Sequence, residues 1–179
     1  MSSSPVIRPV EAEDLAVLDE SLPGGRPPEA HRERYQKQVE GRGVYATAWQ
    51  DVRLAGILFV DWEGSAAEPV RASFPGCPHL IDLFVVPEYR KQGVATQLLD
   101  YLETEARQKG HTRVGLSVGD LNAPNYRIAY DIYKRRGYRD TGIEHMDAYT
   151  VVDESGRALA IQERVRFMVK GLGGRLAGC

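Results

Sequence analysis

Leu80-Ile81-Asp82-Leu83-Phe84-Val85-Val86 is the most strand-like stretch of the chain, apolar throughout apart from Asp82. It leads directly into Pro87-Glu88-Tyr89-Arg90-Lys91-Gln92-Gly93-Val94-Ala95-Thr96. From Gly93 to Lys109, Val94, Leu98, Leu102 and Ala106 recur at helical spacing, and Lys109-Gly110 supplies a cation and a permissive residue for a helix end. The reading is therefore a buried strand, a tight loop and a helix. At such a junction the first helical N–H groups lack internal partners, and the helix dipole adds partial positive charge. The result is an anion site suited to a phosphate. Gly93 permits the turn, and the small Ala95 lets a ligand approach the backbone. Two common phosphate loops are absent, because no G-x-x-x-x-G-K-[ST] occurs and no G-x-G-x-x-G joins a strand to a helix.

Working outward, the order of elements gives an α/β protein. Toward the N-terminus, Val6 to Arg8 is extended, Glu11 to Leu22 reads as a helix ended by Pro23-Gly24-Gly25, and a polar helix runs from Pro27 or Pro28 to about Glu40. His31 lies on that polar helix. Strands Val44 to Gln50 and Leu54 to Trp62 form a hairpin across Asp51-Val52-Arg53. Residues 63–78 read as a long loop, either a surface insertion or a substrate lid. Beyond the central helix, Thr112 to Val118 is a strand, and Asn122 caps a helix with Pro124 in its first turn. Tyr126, Tyr130 and Tyr133 share one face of that helix, which Lys134-Arg135-Arg136-Gly137 finishes. Two strands surround Asp153-Glu154-Ser155-Gly156, and 171–179 read as a frayed tail. With no internal repeat and no second domain visible, 1–179 reads as one domain. Its sheet is mixed and mostly antiparallel, with about six to seven strands and about four flanking helices.

Arg90-Lys91-Gln92-Gly93-Val94-Ala95 resembles R/Q-x-x-G-x-G/A, the pyrophosphate loop of the GNAT superfamily of acyl-CoA-dependent N-acetyltransferases. Leu83 to Tyr89 resembles that family's central strand and its exit. Ala129-Tyr130-Asp131-Ile132-Tyr133-Lys134-Arg135-Arg136-Gly137-Tyr138 is similar to its A-x-x-L-Y-x-x-x-G-F/Y signature. The resemblance covers residues 5 to 170. It implies acetyl-CoA as co-substrate, with the pyrophosphate on the N–H groups of Lys91, Gln92, Gly93, Val94, Ala95 and Thr96 beside Arg90. It further implies that the pantetheine arm pairs with Leu83, Phe84 and Val85. The family's cofactor Asn falls on Tyr126 in the common spacing. Asn125 stands one residue away and is the candidate contact, with Asn122 one turn earlier.

By the same resemblance Tyr133 protonates the departing thiolate. A phenol near 10 and a thiol near 8.5 make a neutral Tyr a workable donor. The competing reading places Tyr126, Tyr130 and Tyr133 in an aromatic core stripe. Where many relatives carry a Glu base, this chain has Ser117. Asp82 is the other candidate, as a water-relayed base or an anchor for a cationic amine, or else as a hydrogen-bonded residue at a strand bulge. Asp147 or Glu144 would assist in holding the amine. Gly115-Leu116-Ser117-Val118-Gly119 also matches the G-x-S-x-G elbow of hydrolases, with Asp131 or Asp140 and then His145 in a permissible order. That reading leaves the phosphate loop unexplained.

Composition narrows the class. Lys and Arg total 23 against 25 Asp and Glu, a net of −2, which lacks the basic footprint of a nucleic-acid binder. Hydrophobic residues at 42% and charged residues at 27% are ordinary for a globular chain. The longest run of apolar residues and Gly, Leu54 to Val60, is far short of the roughly 20 residues of a membrane span. Met1-Ser2-Ser3-Ser4-Pro5 does not read as a secretory signal. Cys77 and Cys179 make neither a metal site nor a disulfide framework, and His31, His79, His111 and His145 show no metal spacing, so no metal is expected. A reducing, cytoplasmic setting follows. The expected activity is acetyl transfer from acetyl-CoA to a primary amine, with a small cationic amine as the favoured acceptor. The alternatives are a protein N-terminus or lysine as acceptor, and a non-catalytic acyl-CoA-binding regulator. Neither nucleic acid nor membrane is an expected partner, and a homodimer is left open.

Overall fold

A computed structural model describes residues 4–22 and 25–173. The elements run β1 (Val6–Pro9), α1 (Asp14–Ser21), α2 (Pro28–Val39), β2 (Gly43–Gln50), β3 (Arg53–Asp61), α3 (Glu68–Ser73) and β4 (His79–Val85). After one 3-10 turn (Pro87–Tyr89) come α4 (Val94–Gln108), β5 (Arg113–Val118), α5 (Pro124–Arg135), β6 (Arg139–Val152) and β7 (Ala158–Gly171). The seven strands form one mixed sheet in the order β1-β2-β3-β4-β5-β7-β6. β1 and β2 are antiparallel, β4 and β5 parallel, and β5 and β7 antiparallel. The parallel pair requires a long crossover, which α4 provides. Contacts divide the chain into two compact units.

The first unit comprises Met1–Val60, Asp82–Leu102 and Thr150–Ile161. Its core is the near-continuously buried β3 with Tyr45, Ala46 and Ala48 of β2 and Leu98, Leu99 and Leu102 of α4. Gly56 is required by close approach, since a Cβ there would stand 2.8 Å from the Phe84 carbonyl oxygen. α1 starts at Asp14 rather than Glu11. The buried Asp14 carboxylate is gripped by both terminal nitrogens of Arg8 and accepts the Glu11 N–H at 2.8 Å, which arrests the backbone before the helix. His31, expected on a polar helix, is wholly buried and stacked on Tyr45 with centroids 6.1 Å apart. α2 is polar around most of its circumference, and His31 occupies the narrow face turned to the core. Pro23 and Gly24 lie outside the described residues.

The second unit comprises Asp61–Ile81, Glu103–Tyr149 and Gln162–Cys179. Residues 63–78, read as a loop, contain α3, and Val70 and Cys77 of this segment pack with Phe167 and Val169. α3 makes five α-helices among the described residues, one more than expected. Phe167 fills the space above Gly115, where a Cβ would lie 2.1 Å from its ring. Glu103, only 2% exposed, takes the Tyr138 hydroxyl at 2.9 Å, Lys170 at 2.6 Å and Arg136 at 3.3 Å. Arg136 of the basic run is thus drawn inward. Asn122 does not cap α5: the N-cap position is Ala123, and the Asn122 amide and N–H both donate to Asp120. The first residues of the stretch expected to fray, 171 and 172, are instead tied down. Gly171 closes β7, and the buried Leu172 donates its N–H to Thr112 at 2.8 Å and accepts Arg107 at 2.9 Å. Residues 174–179 of that tail lie outside the described residues.

Candidate functional site

The corner from β4 to α4 belongs to the first unit. β4 runs through Asp82 with a left-handed φ of 56° there, and the Val86 N–H returns to the Ala55 carbonyl at 2.9 Å. After the 3-10 turn, Lys91 (φ 61°) and Gly93 (φ 83°) are both left-handed, and α4 begins immediately. The helical ladder opens with Gln97 N–H on the Gly93 carbonyl at 3.1 Å, so the N–H groups of Val94, Ala95 and Thr96 precede it. Arg90 folds back with Nε on the Val85 carbonyl at 3.0 Å, and Gln92 returns to the Glu88 carbonyl at 2.8 Å. A Cβ added at Gly93 would meet nothing nearer than Gln97 Nε2 at 3.8 Å. The corner therefore offers backbone donors, positive helix-end charge and free space, a combination that fits a pyrophosphate.

Asp82 stands one residue before Leu83, Phe84 and Val85, and its carboxylate is already engaged. Arg26 Nε and Nη2 each donate to it at 2.6 Å, one to each oxygen, and Arg34 Nη2 donates to Oδ2 as well. Burial pushes the carboxyl pKa up, but the Arg26 and Arg34 hydrogen bonds and charges outweigh it and hold the group below the ordinary carboxylate range. Sequence reading missed both arginines. The available signal was Asp82 itself, since a carboxylate in an apolar strand needs cationic partners.

The second unit holds the other candidates. Tyr133 on α5 is buried against the Tyr138 ring, with centroids 5.7 Å apart and, among the described residues, no partner for its hydroxyl. Burial pushes its phenol up to about 12. The neighbours on its face differ: Tyr126 donates to Glu163 and Tyr130 to Asp140, each at 3.0 Å. The β4–β5 ladder has two rungs, His79 with Gly115 and Leu80 with Leu116. Just beyond, the Ser117 hydroxyl lies 3.3 Å from Nε2 of His79 and 3.3 Å from Nε2 of His145. The sequence joins Ser117 to His145 only through the hydrolase pattern, and it does not place His79 on the same hydroxyl. Ser117 sits within the regular β5–β7 ladder opposite Phe167, not on a strand-to-helix elbow. Asp140 is committed to Tyr130 and Arg166, Asp131 lies 3.8 Å from Arg127, and His145 Nδ1 faces the Met146 carbonyl, so among the described residues no hydrolase triad forms. Asp147 accepts the N–H of Ala148, Glu144 pairs with Arg166, and Asn125 is exposed in the first turn of α5.

The sequence profile of the acetyltransferase (GNAT) family matches residues 13–138, well over half of the chain and inclusive of the whole corner. The chain belongs to the GNAT family. It is also 35% identical over 83 residues to a thialysine N-epsilon-acetyltransferase of Sus scrofa, a match covering 46% of each chain, so this GNAT protein spans under half of that relative's length. Solved GNAT-like structures share the fold at low identity. The ribosomal-protein-S18-alanine N-acetyltransferase of Escherichia coli superposes with TM-score 0.65 at 18% identity, covering 97% of this chain and 96% of the other. A Salmonella typhimurium protein solved with its cofactor acetyl-CoA superposes with TM-score 0.64 at 15% identity, covering 98% of each. Among the described residues no cluster of three His, Cys, Asp or Glu could hold a metal, and no helix is long and apolar enough to cross a membrane.

Proposed function

We propose that this GNAT protein transfers an acetyl group from acetyl-CoA to a primary amine of a small molecule by direct attack. The observation that carries the reading is the β4–α4 corner, where left-handed Lys91 and Gly93 open the N-terminus of α4 within the family-matched stretch. Lys91 to Thr96 hold the pyrophosphate through backbone N–H groups, and Leu83 to Val85 hold the pantetheine arm. The likeness to a thialysine acetyltransferase supports a small-molecule amine over a peptide.

In the reaction the amine nitrogen forms a bond to the thioester carbonyl carbon, the C–S bond breaks, and the thiolate takes a proton. Tyr133 supplies that proton. Its phenol, pushed up to about 12 by burial, holds its proton at neutral pH and is a weaker acid than a free tyrosine, so transfer goes to the thiolate only as the C–S bond breaks. Asp82 is a poor base, because two guanidiniums stabilise its charged form; it acts as a positioning residue. The amine proton passes to the imidazoles flanking Ser117, the side-chain type suited to accepting protons near neutrality. A cytosolic setting is part of this reading.

The test is steady-state release of free thiol from acetyl-CoA with a panel of small amines and an N-terminal alanine peptide. Turnover with a small amine is expected. Tight CoA binding with no thiol release on any amine would make the protein an acyl-CoA-binding regulator, and turnover confined to the peptide would move it to protein acetylation.

A further inference from the structure

Ser117 is held differently from an ordinary strand serine. Its hydroxyl lies 3.3 Å from Nε2 of His79 on β4 and 3.3 Å from Nε2 of His145 on β6, so two imidazoles converge on one oxygen. A hydroxyl has a single hydrogen and can donate to only one of the two rings. His145 decides which. Its Nδ1 stands 3.3 Å from the Met146 carbonyl oxygen, which can only accept. In the neutral ring Nδ1 therefore carries the hydrogen, and Nε2 turns its lone pair to Ser117. The Ser117 hydroxyl donates to His145, and His79 Nε2–H donates to the same oxygen from the other side. A nucleophile, a base in reach of its proton and a carbonyl that orients the base are thus assembled.

The surroundings hold this arrangement. Gly115 and Ser117 lie two apart in β5 and share a face, and the Phe167 ring that fills the space above Gly115 lies 6.0 Å from the His79 ring. Ser117 itself is half-buried rather than sealed, and it follows the last rung of the β4–β5 ladder at Leu116. A carbonyl rather than a carboxylate stands behind the His145 imidazole, so the dyad suits an activated acyl donor such as a thioester.

Resting on the acetyl-transfer reading above, we infer that Ser117 is a self-acetylation site: with no amine bound, its hydroxyl takes the acetyl group of acetyl-CoA. In that reading the imidazoles take the proton of an amine as it attacks the thioester carbonyl. Ser117 Oγ, within hydrogen-bond distance of both rings, meets the same carbon when the amine is missing. The hydroxyl proton passes to His145 Nε2, and Oγ bonds to the acetyl carbonyl carbon. The C–S bond breaks with its electron pair on sulfur, and CoA leaves as the free thiol with the proton that His145 releases. An oxygen ester on Ser117 and CoA are the only products. The ester persists, because a thiol of pKa about 8.5 leaves readily, whereas a serine alkoxide is far more basic and leaves poorly.

The experiment incubates the whole chain with acetyl-CoA and no amine, quenches samples in acid and maps acetyl groups on its peptides by mass spectrometry. A label on Ser117 that alkaline hydroxylamine removes is expected, with free thiol released in step. Ser117→Ala should lose that label while calorimetric acetyl-CoA affinity is retained. Ser117→Cys should restore a label, now a thioester that hydroxylamine removes at neutral pH. His145→Gln should slow labelling about a hundredfold, the contribution of a positioned base. Acetyl groups confined to lysines, or Ser117 labelled equally fast in His145→Gln, would overturn the self-acetylating dyad. Turnover of a small amine with Ser117 unlabelled throughout overturns self-acetylation alone and leaves acetyl transfer standing. A labelled Ser117 with no thiol release to any amine overturns the amine acceptor and leaves the serine site standing.

Discussion

The β4–α4 corner and the side-chain candidates, Ser117 with its two imidazoles and Tyr133 on α5, present their chemistry in opposite ways. The corner works through backbone: left-handed Lys91 and Gly93 aim main-chain donors outward, and its side chains mostly fold back on the loop. Around Ser117 the backbone is an ordinary ladder, and the reactive groups are side chains brought from β4, β5 and β6. A backbone site depends on a few consecutive residues and breaks when one of them changes shape. A side-chain site depends on distant residues and is lost in steps.

The sharpest way to break the corner is Gly93→Asp, which places a negative charge at the pyrophosphate position. Loss of calorimetric CoA binding, by roughly a thousandfold or beyond detection, is expected with the fold retained. Gly93→Ala is the calibrating variant. The space is open, so it suffers only the strain of φ 83°, on the order of 1 kcal/mol, and should bind CoA more weakly but measurably. Equal behaviour of the two variants would mean that shape, not charge, governs the corner.

On the side-chain region the largest effect is expected from Tyr133→Phe, with kcat lower by roughly 10²- to 10⁴-fold and acetyl-CoA affinity kept. Tyr126→Phe and Tyr130→Phe remove phenols that donate to Glu163 and Asp140, and should cost about 1 kcal/mol of stability each with little change in kcat. Similar kcat losses in all three variants would return Tyr133 to the core stripe.

A smaller effect is expected at the imidazoles. His79→Gln or His145→Gln alone should lower kcat/KM about tenfold, and the double variant should lose more than either, because each ring flanks the Ser117 hydroxyl. An unchanged kcat/KM in the double variant would place the proton acceptor elsewhere.

The smallest expected effect concerns stability. Burial pushes the Asp14 carboxyl up, but the Arg8 hydrogen bond and charge and the Glu11 N–H outweigh it, so its folded pKa lies below the ordinary value. Its contribution is therefore complete above the ordinary carboxylate pKa of about 3.9 and is lost as pH falls through the folded value. Arg8→Met should lower the denaturation midpoint at pH 7 by an amount worth about 1 kcal/mol, a gap that narrows as pH falls below the ordinary carboxylate range. A gap unchanged at acid pH would assign the loss to Arg8 packing on Trp49 instead.

The same contrast explains what was legible. The corner was readable because strand, glycine and helix stripe are consecutive, and α4 and α5 because their apolar spacing extends over 15 and 12 residues. α3 was invisible, since six residues between Pro- and Gly-rich flanks carry no periodic signal. His31 misled because only a narrow face of a polar helix is buried. Arg26 and Arg34 were missed because they reach Asp82 across 56 and 48 residues, and no local rule pairs charges at that range. The roles assigned to Tyr133 and Asn125 came from resemblance. The structure distinguishes Tyr133 from its helical neighbours by burial and by a hydroxyl with no partner among the described residues.

The contact of Phe167 with Gly115 has an evolutionary consequence. Any side chain at position 115 would collide with the ring, so the two positions cannot drift independently; a lineage that acquires alanine at 115 must first or simultaneously shrink residue 167. The ring also lies 6.0 Å from the His79 imidazole, centroid to centroid, so such a paired exchange would shift the group that flanks Ser117. The glycine, with no reactive atom of its own, thereby constrains which histidine placements descendants of this sequence can explore.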